Sequence, residues 1–171
     1  GVDFVGLIRA ARSYIITGKK KQGASTITMQ VARNFFLSRK KTFKRKIEEI
    51  LLAIKIDQNL PKETILELYL NKIFFGEGAY GVQAAAKVYY GKSVAQLSLP
   101  QLAMIAGLPQ APSRNALINP GYAKNRRNHV LARMLNRGYL DQQTYEEAIK
   151  APIMAARHRV KVSLHAPYVA E

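Results

Sequence analysis

Glu49 follows Arg45 by four residues, so the two can share one face of a helix. It closes a dense basic run, Arg39, Lys40, Lys41, Lys44, Arg45 and Lys46 within eight residues. A carboxylate beside two cations stays ionised at neutral pH. Such a group can steer a cationic centre or a metal, but makes a poor general acid. The plainer role of the run is a solvated helix face. Against it stands the density of like charges, which repel one another unless an anion compensates them.

A second set lies in "QGASTITMQVARN", Gln22 to Asn34. Ser25, Thr26 and Thr28 are hydroxyls near a helix start, and Gln30, Arg33 and Asn34 fall within one turn of each other. Free amides at a helix N-terminus attract anions, and hydroxyls with an arginine nearby complete a phosphate cradle. Either Ser25 or Thr26 alone reads equally as a helix cap. In "LELYLNKIFFGEGAYG" the aromatics Tyr69, Phe74, Phe75 and Tyr80 are of the kind more often found in a core than against a ligand. Asn71, between Leu70 and Ile73, reads as a buried amide bridging backbone groups in a turn. The histidines His129, His158 and His165 have no ligand spacing, and no phosphate loop, nucleophile elbow or zinc pattern occurs.

Helices must position these groups. Val2, Val5, Leu7, Ile8, Ala11 and Ile15 predict a first helix over 2–16, stopped by Gly18. Ile27, Val31 and Phe35 repeat every fourth residue in a second. Ile47, Ile50, Leu51 and Ile54 mark a third that ends before Pro61. Pro61 and two acids open a fourth, which Gly76 and Gly78 close. An Ala-rich helix follows in "AYGVQAAAKVYYGKS", and then one with a Ser start and a Gly-Leu-Pro exit in "SLPQLAMIAGLPQAPS". "APSRNALINPGYAKN" reads as an ordered loop, ahead of helices in "YAKNRRNHVLARMLNRG" and, capped by Asp141, "DQQTYEEAIKA". The only strand candidate is "RHRVKVSLH", so the class is mostly α around one core.

The chain has 171 residues, 48% of them apolar, the size of one domain. With 27 Lys and Arg against 11 acids its formal charge is +16, which calls for nucleic acid, an anionic membrane or a phosphorylated substrate. The absence of cysteine excludes disulfides, thiolate metal sites and thiol nucleophiles. No stretch approaches the roughly 20 apolar residues that span a bilayer. The chain starts at Gly1 and breaks off in "HAPYVAE", so a larger parent protein is expected.

In this order, "QGASTITMQVARNFFL", "RKIEE", "ILELYLNKIFFGEGAYGVQAAA", "LAMIAGLPQAPS" and "RRNHVLARM" resemble the motifs of the peptidoglycan glycosyltransferases, glycosyltransferase family 51. The likeness covers nearly the whole chain and is greatest to the form found in bifunctional class A penicillin-binding proteins of the 1a type. It implies a lysozyme-like, mostly helical fold with a head and a membrane-facing jaw lobe. It implies polymerisation of lipid II, with inversion, by attack of the acceptor 4-hydroxyl on the anomeric carbon of the lipid-diphosphate-linked chain. Residues 1–151 would be the glycosyltransferase domain, N-terminally truncated, and 152–171 the start of a linker toward a transpeptidase domain. The general-base Glu is expected upstream of Gly1 and is missing from this chain.

By the same resemblance Glu49 is the second carboxylate, stabilising the departing diphosphate directly or through a divalent cation such as Mg. Arg45 and Lys46 match cations that bind the diphosphate, and Ser25, Gln30, Arg33 and Asn34 match donor-site residues. Tyr69 and Phe74 match cleft-lining aromatics, and Arg126 and Arg127 match the last motif, read as structural support. "GAST" and "TMQ" stand where the family often has "GGST" and "TQQ", which puts no catalytic group in doubt. The implied partners are lipid II and the growing strand, an anionic membrane surface and cell-wall synthesis proteins, with no nucleic acid. The implied place is the periplasmic face of a bacterial inner membrane, with an anchoring helix outside this chain. The rival readings are a lysozyme-like peptidoglycan hydrolase, a basic helical nucleic-acid-binding module, and a docking surface without chemistry.

Overall fold

The structure, a computed structural model, describes residues 2–17, 25–37 and 42–158. Arg39, Lys40, Lys41 and most of the strand candidate lie outside them. Two compact units divide the chain at Ile73 and Phe74.

The first unit holds α1 (Phe4–Thr17), α2 (Ile27–Phe36), α3 (Phe43–Asn59) and α4 (Lys62–Lys72). Caps set their starts. Thr26, not Ser25, caps α2, its Oγ1 accepting from the Met29 amide at 3.2 Å, and Thr42 caps α3 on the Arg45 amide at 3.2 Å. α3 ends before Pro61, whose ring disfavours helical backbone in the residue ahead of it. α4 closes at Ile73, earlier than the glycines expected to end it. Met29 and Ala32 of α2 bury against Ala53 of α3, with Val2, Ile50, Leu52 and Ile56 around them. The two small alanines let the helices pack closely.

The periodicity of α1 gives the helix but not its burial. Val2 packs on the Met29 cluster, whereas Val5 and Ile8 are 66% and 69% exposed. Asn71 also departs from expectation: it is exposed on the last turn of α4 rather than buried in a turn.

The second unit holds α5 (Val82–Tyr90), α6 (Leu99–Gly107), α7 (Pro120–Asn136) and α8 (Gln142–Lys150), with short 3-10 turns between them. Gln101 folds back onto the Ser98 amide at 3.0 Å to start α6, and Asp141 accepts from the Thr144 amide at 2.7 Å to start α8. The Gly-Leu-Pro stretch continues as the 3-10 turn Leu108–Gln110. α7 starts at Pro120, two residues before the expected Tyr122, because Asn119 caps it through the Tyr122 amide at 2.9 Å. Ala103, Leu131 and Ala148 form the core of α6, α7 and α8. The 111–119 loop is ordered, as expected, around the buried Asn115, whose Oδ1 accepts from the Leu117 amide at 2.9 Å.

The class is mostly α. Among the described residues β pairing is limited to an isolated antiparallel bridge, Phe74 to Tyr80. Arg157 and His158, at the start of the strand candidate, are in no strand.

Candidate active site

In the first unit, Ser25 stands just ahead of α2 while α3 presents Lys46 and Glu49 toward it. Lys46 Nζ lies 2.6 Å from Glu49 Oε1 and donates to Ser25 Oγ at 2.8 Å; the Ser25 hydroxyl donates to the same carboxylate oxygen at 3.5 Å. Glu49 is 1% exposed and the Lys46 side chain 34%, so the carboxylate is sealed and its cation faces solvent. Burying a carboxylate is tolerated only with such a partner.

Arg45 does not meet Glu49, contrary to the expectation from their spacing. The pair forms one residue later, at Lys46, because Ser25 and Glu49 together draw the ammonium inward. Arg45 Nε is thereby left buried with no acceptor among the described residues.

Gln30, Arg33 and Asn34 are half-buried on α2. Arg33 sits in the last turn, six residues past Ile27 and so about 9 Å along the axis. The Arg33 charge is felt at Tyr69 of α4. Burial raises the Tyr69 phenol above its ordinary pKa, and the Arg33 charge pulls it part of the way back.

Phe74 opens the second unit, its ring 4.9 Å from that of Tyr80 and tilted by 40°. Arg127 is wholly buried in that unit. Its Nη1 donates to the Ala151 carbonyl at 2.6 Å, Nη2 to that of Ile149 at 2.9 Å, and Nε to Asn128 at 3.0 Å. Those bonds tie the C-terminal end of α8 to α7, the supporting role expected of it. Arg126 packs its Cβ against Gly107, and its Nε is buried with no acceptor among the described residues. The sequence reading missed Glu77, whose carboxylate joins Asn115 and Arg157. Its signal is the Gly-Glu-Gly flanking, the same residues that mark the helix stop.

Among the described residues no group of three His, Asp or Glu could hold a metal. Glu49 offers one carboxylate, already carrying an ammonium, and Mg demands a near-octahedral set of oxygens. Mg usually keeps several waters and binds through one or two carboxylates together with substrate phosphates, so Glu49 would supply one ligand of such a set.

The sequence profile described as Transglycosylase matches residues 1–135. The chain belongs to the transglycosylase family. As a transglycosylase domain it is 54% identical, over its full length, to penicillin-binding protein 1A of Pseudomonas aeruginosa and to that of Escherichia coli, covering 21% and 20% of those proteins. It thus spans about a fifth of the length of these relatives. The crystal structure of penicillin-binding protein 1A from Haemophilus influenzae is 35% identical, with a TM-score of 0.52 over 79% of this chain and 17% of that one. The mostly α, lysozyme-like class agrees with that neighbour.

Proposed function

We propose that this transglycosylase domain polymerises lipid II into glycan strands by inverting transfer from a lipid-diphosphate-linked chain to the 4-hydroxyl of lipid II. The observation that carries this reading is that the buried Arg45 Nε has no acceptor among the described residues, while the Glu49 carboxylate is satisfied by Lys46. Glu49 holds Lys46 and Ser25 in place, and Arg45 keeps its charge for an incoming anion. Negative charge grows on the diphosphate as the glycosidic bond breaks, and preorganised cations stabilise it there. Gln30, Arg33 and Asn34 are the donor-sugar contacts in this reading, with Tyr69 an aromatic contact of the same unit; Phe74 is a substrate-contacting aromatic of the second unit. Glu49, held by an ammonium, is not the base that activates the hydroxyl.

An exposed apolar stripe on α3 supports work at a lipid surface: Phe43, Ile47 and Leu51 are 89%, 61% and 56% exposed at four-residue intervals. Lys44 and Lys55 flank it in solvent, each adding about 1 kcal/mol of attraction to anionic lipid. Among the described residues no helix is long and apolar enough to cross a membrane. In this reading the domain works on the periplasmic face of a bacterial inner membrane, as residues 1–151 of a bifunctional penicillin-binding protein whose linker begins at 152. Cell-wall synthesis proteins are its further partners.

The test is to give the parent protein lipid II in one reaction and finished peptidoglycan in another. Long glycan strands from the first are expected. Soluble fragments from the second with no polymer from the first would make it a hydrolase and end the proposal.

A further inference from the structure

In the second unit the turn 74–80 carries the exposed Phe74 and Tyr80 rings on a strained backbone. Gly76, Glu77 and Gly78 have φ of 89°, 49° and 74° in succession. A non-glycine residue stays in that region only where its surroundings over-determine it. At Gly76 a Cβ would stand 2.6 Å from the Pro112 carbonyl oxygen and 2.9 Å from the Tyr89 hydroxyl, so the turn is packed tightly underneath. The Tyr89 hydroxyl donates to the Phe75 carbonyl at 2.9 Å, and the Phe75 amide to the Ala79 carbonyl at 2.9 Å.

Residues 152–158 form a strap that docks on the same helix, α5. The Ala156 amide donates to the Tyr89 carbonyl at 3.0 Å and the His158 amide to that of Val88 at 2.9 Å. Gly91 leaves room for the His158 ring, which would stand 2.8 Å from a Cβ there. Turn and strap are joined through Glu77. Its Oε1 accepts from Asn115 Nδ2 at 3.1 Å, and its Oε2 pairs with Arg157 Nη2 at 3.0 Å.

The geometry points to Glu77 as a positioning residue that couples the strap 152–158 to the aromatic turn 74–80. The asymmetry of the ion pair argues for coupling over bulk stability. The Arg157 side chain is 73% exposed and Glu77 14%, so releasing the arginine barely changes global stability, whereas it deprives a largely buried carboxylate of its cation. The local cost falls on the turn. The consequence for substrate rests on the reading that Phe74 contacts the glycan.

The experiment is amide hydrogen exchange on the parent protein without substrate, followed by kinetics on lipid II, for wild type, Arg157→Ala, Arg157→Lys and Glu77→Gln. In Arg157→Ala the amides of Ala156 and His158 and those of Phe75 and Ala79 should all exchange about two- to fivefold faster. KM for lipid II should rise by a similar factor with kcat unchanged, and Arg157→Lys should restore both. Glu77→Gln keeps an acceptor for Asn115 and should reproduce Arg157→Ala; combining the two should add little. Faster exchange confined to the strap, or a fall in kcat at constant KM, overturns the coupling. If wild type fails to polymerise lipid II, the proposed function falls while the exchange data still decide the coupling.

Discussion

Lys46 and Glu49 stand one turn apart on α3, Nζ 2.6 Å from Oε1, with the carboxylate buried and the ammonium a third exposed. A pair so arranged fixes a negative charge in the protein and leaves the positive face toward whatever approaches. Glu49→Gln keeps the shape and an acceptor for Lys46 but removes that charge. Polymerisation of lipid II should fall at least about 100-fold, the scale of one lost electrostatic group in an active site. Melting should move by only a few degrees. A fully active, folded variant would falsify the role given to Glu49.

Lys46 is expected to matter for the fold as well. In Lys46→Ala the buried carboxylate retains, among the described residues, only the 3.5 Å contact from Ser25. The penalty of about 3–5 kcal/mol for a fully buried orphan charge is discounted to about 1–3 kcal/mol, because the deleted group is partly solvated. Urea unfolding measures it. Lys46→Met with Glu49→Leu should regain stability but no activity. Recovery of activity in that double variant would show that the pair is merely structural.

Arg45 separates binding from folding in the opposite sense. Its buried Nε has no acceptor to lose among the described residues, so Arg45→Ala should leave melting nearly unchanged. Binding of a diphosphate-bearing lipid should weaken about 10- to 100-fold, the worth of one or two charge-assisted hydrogen bonds. Calorimetry with a short-chain analogue reads this directly; lower stability with intact affinity would count against an anion-binding role.

Features decided within one helical turn were legible in the sequence. Thr26, as one of two candidates, and Asp141 were visible as caps because each bonds an amide three residues on. What failed depended on packing. The spacing of Arg45 and Glu49 permitted their pairing, but Ser25, arriving from another segment, settled the choice on Lys46. Asn71 was judged by its sequence neighbours Leu70 and Ile73, which point elsewhere on a helix; Glu67, one turn back on its own face, is exposed as well. Glu77 was hidden because its partners, Asn115 and Arg157, lie far along the chain.

Arg127 should behave as a fastener. Arg127→Ala orphans the carbonyls of Ile149 and Ala151 and leaves a cavity between α7 and α8. The expected cost is about 3–5 kcal/mol, with early hydrogen exchange in α8. Arg127→Lys can reach one carbonyl but not both, and should recover part of it. Activity should track the folded fraction; a loss of activity in fully folded protein would assign Arg127 to the chemistry instead.

Beside Arg127, burial pushes the Tyr90 phenol up to about 12, with the Arg127 charge opposing the shift. Tyr89 is raised in the same direction, by burial first and then by the Glu77 charge. An unfolded tyrosine titrates near 10. Between those values the unfolded chain has released the proton and the folded chain still holds it, so the unfolded state binds fewer protons and stability falls as pH rises. The contribution is fully present below about pH 10 and is lost as pH climbs through the folded value. For Tyr90 the difference of about 2 units corresponds to about 2–3 kcal/mol at the end of that window. Urea unfolding at pH 8, 10 and 11.5 should show a steepening loss, and Tyr90→Phe should flatten it by removing one of the raised phenols, Tyr69 and Tyr89 remaining. An identical pH slope in wild type and Tyr90→Phe would mean that the Tyr90 hydroxyl is ionised as readily in the folded protein as in the unfolded chain.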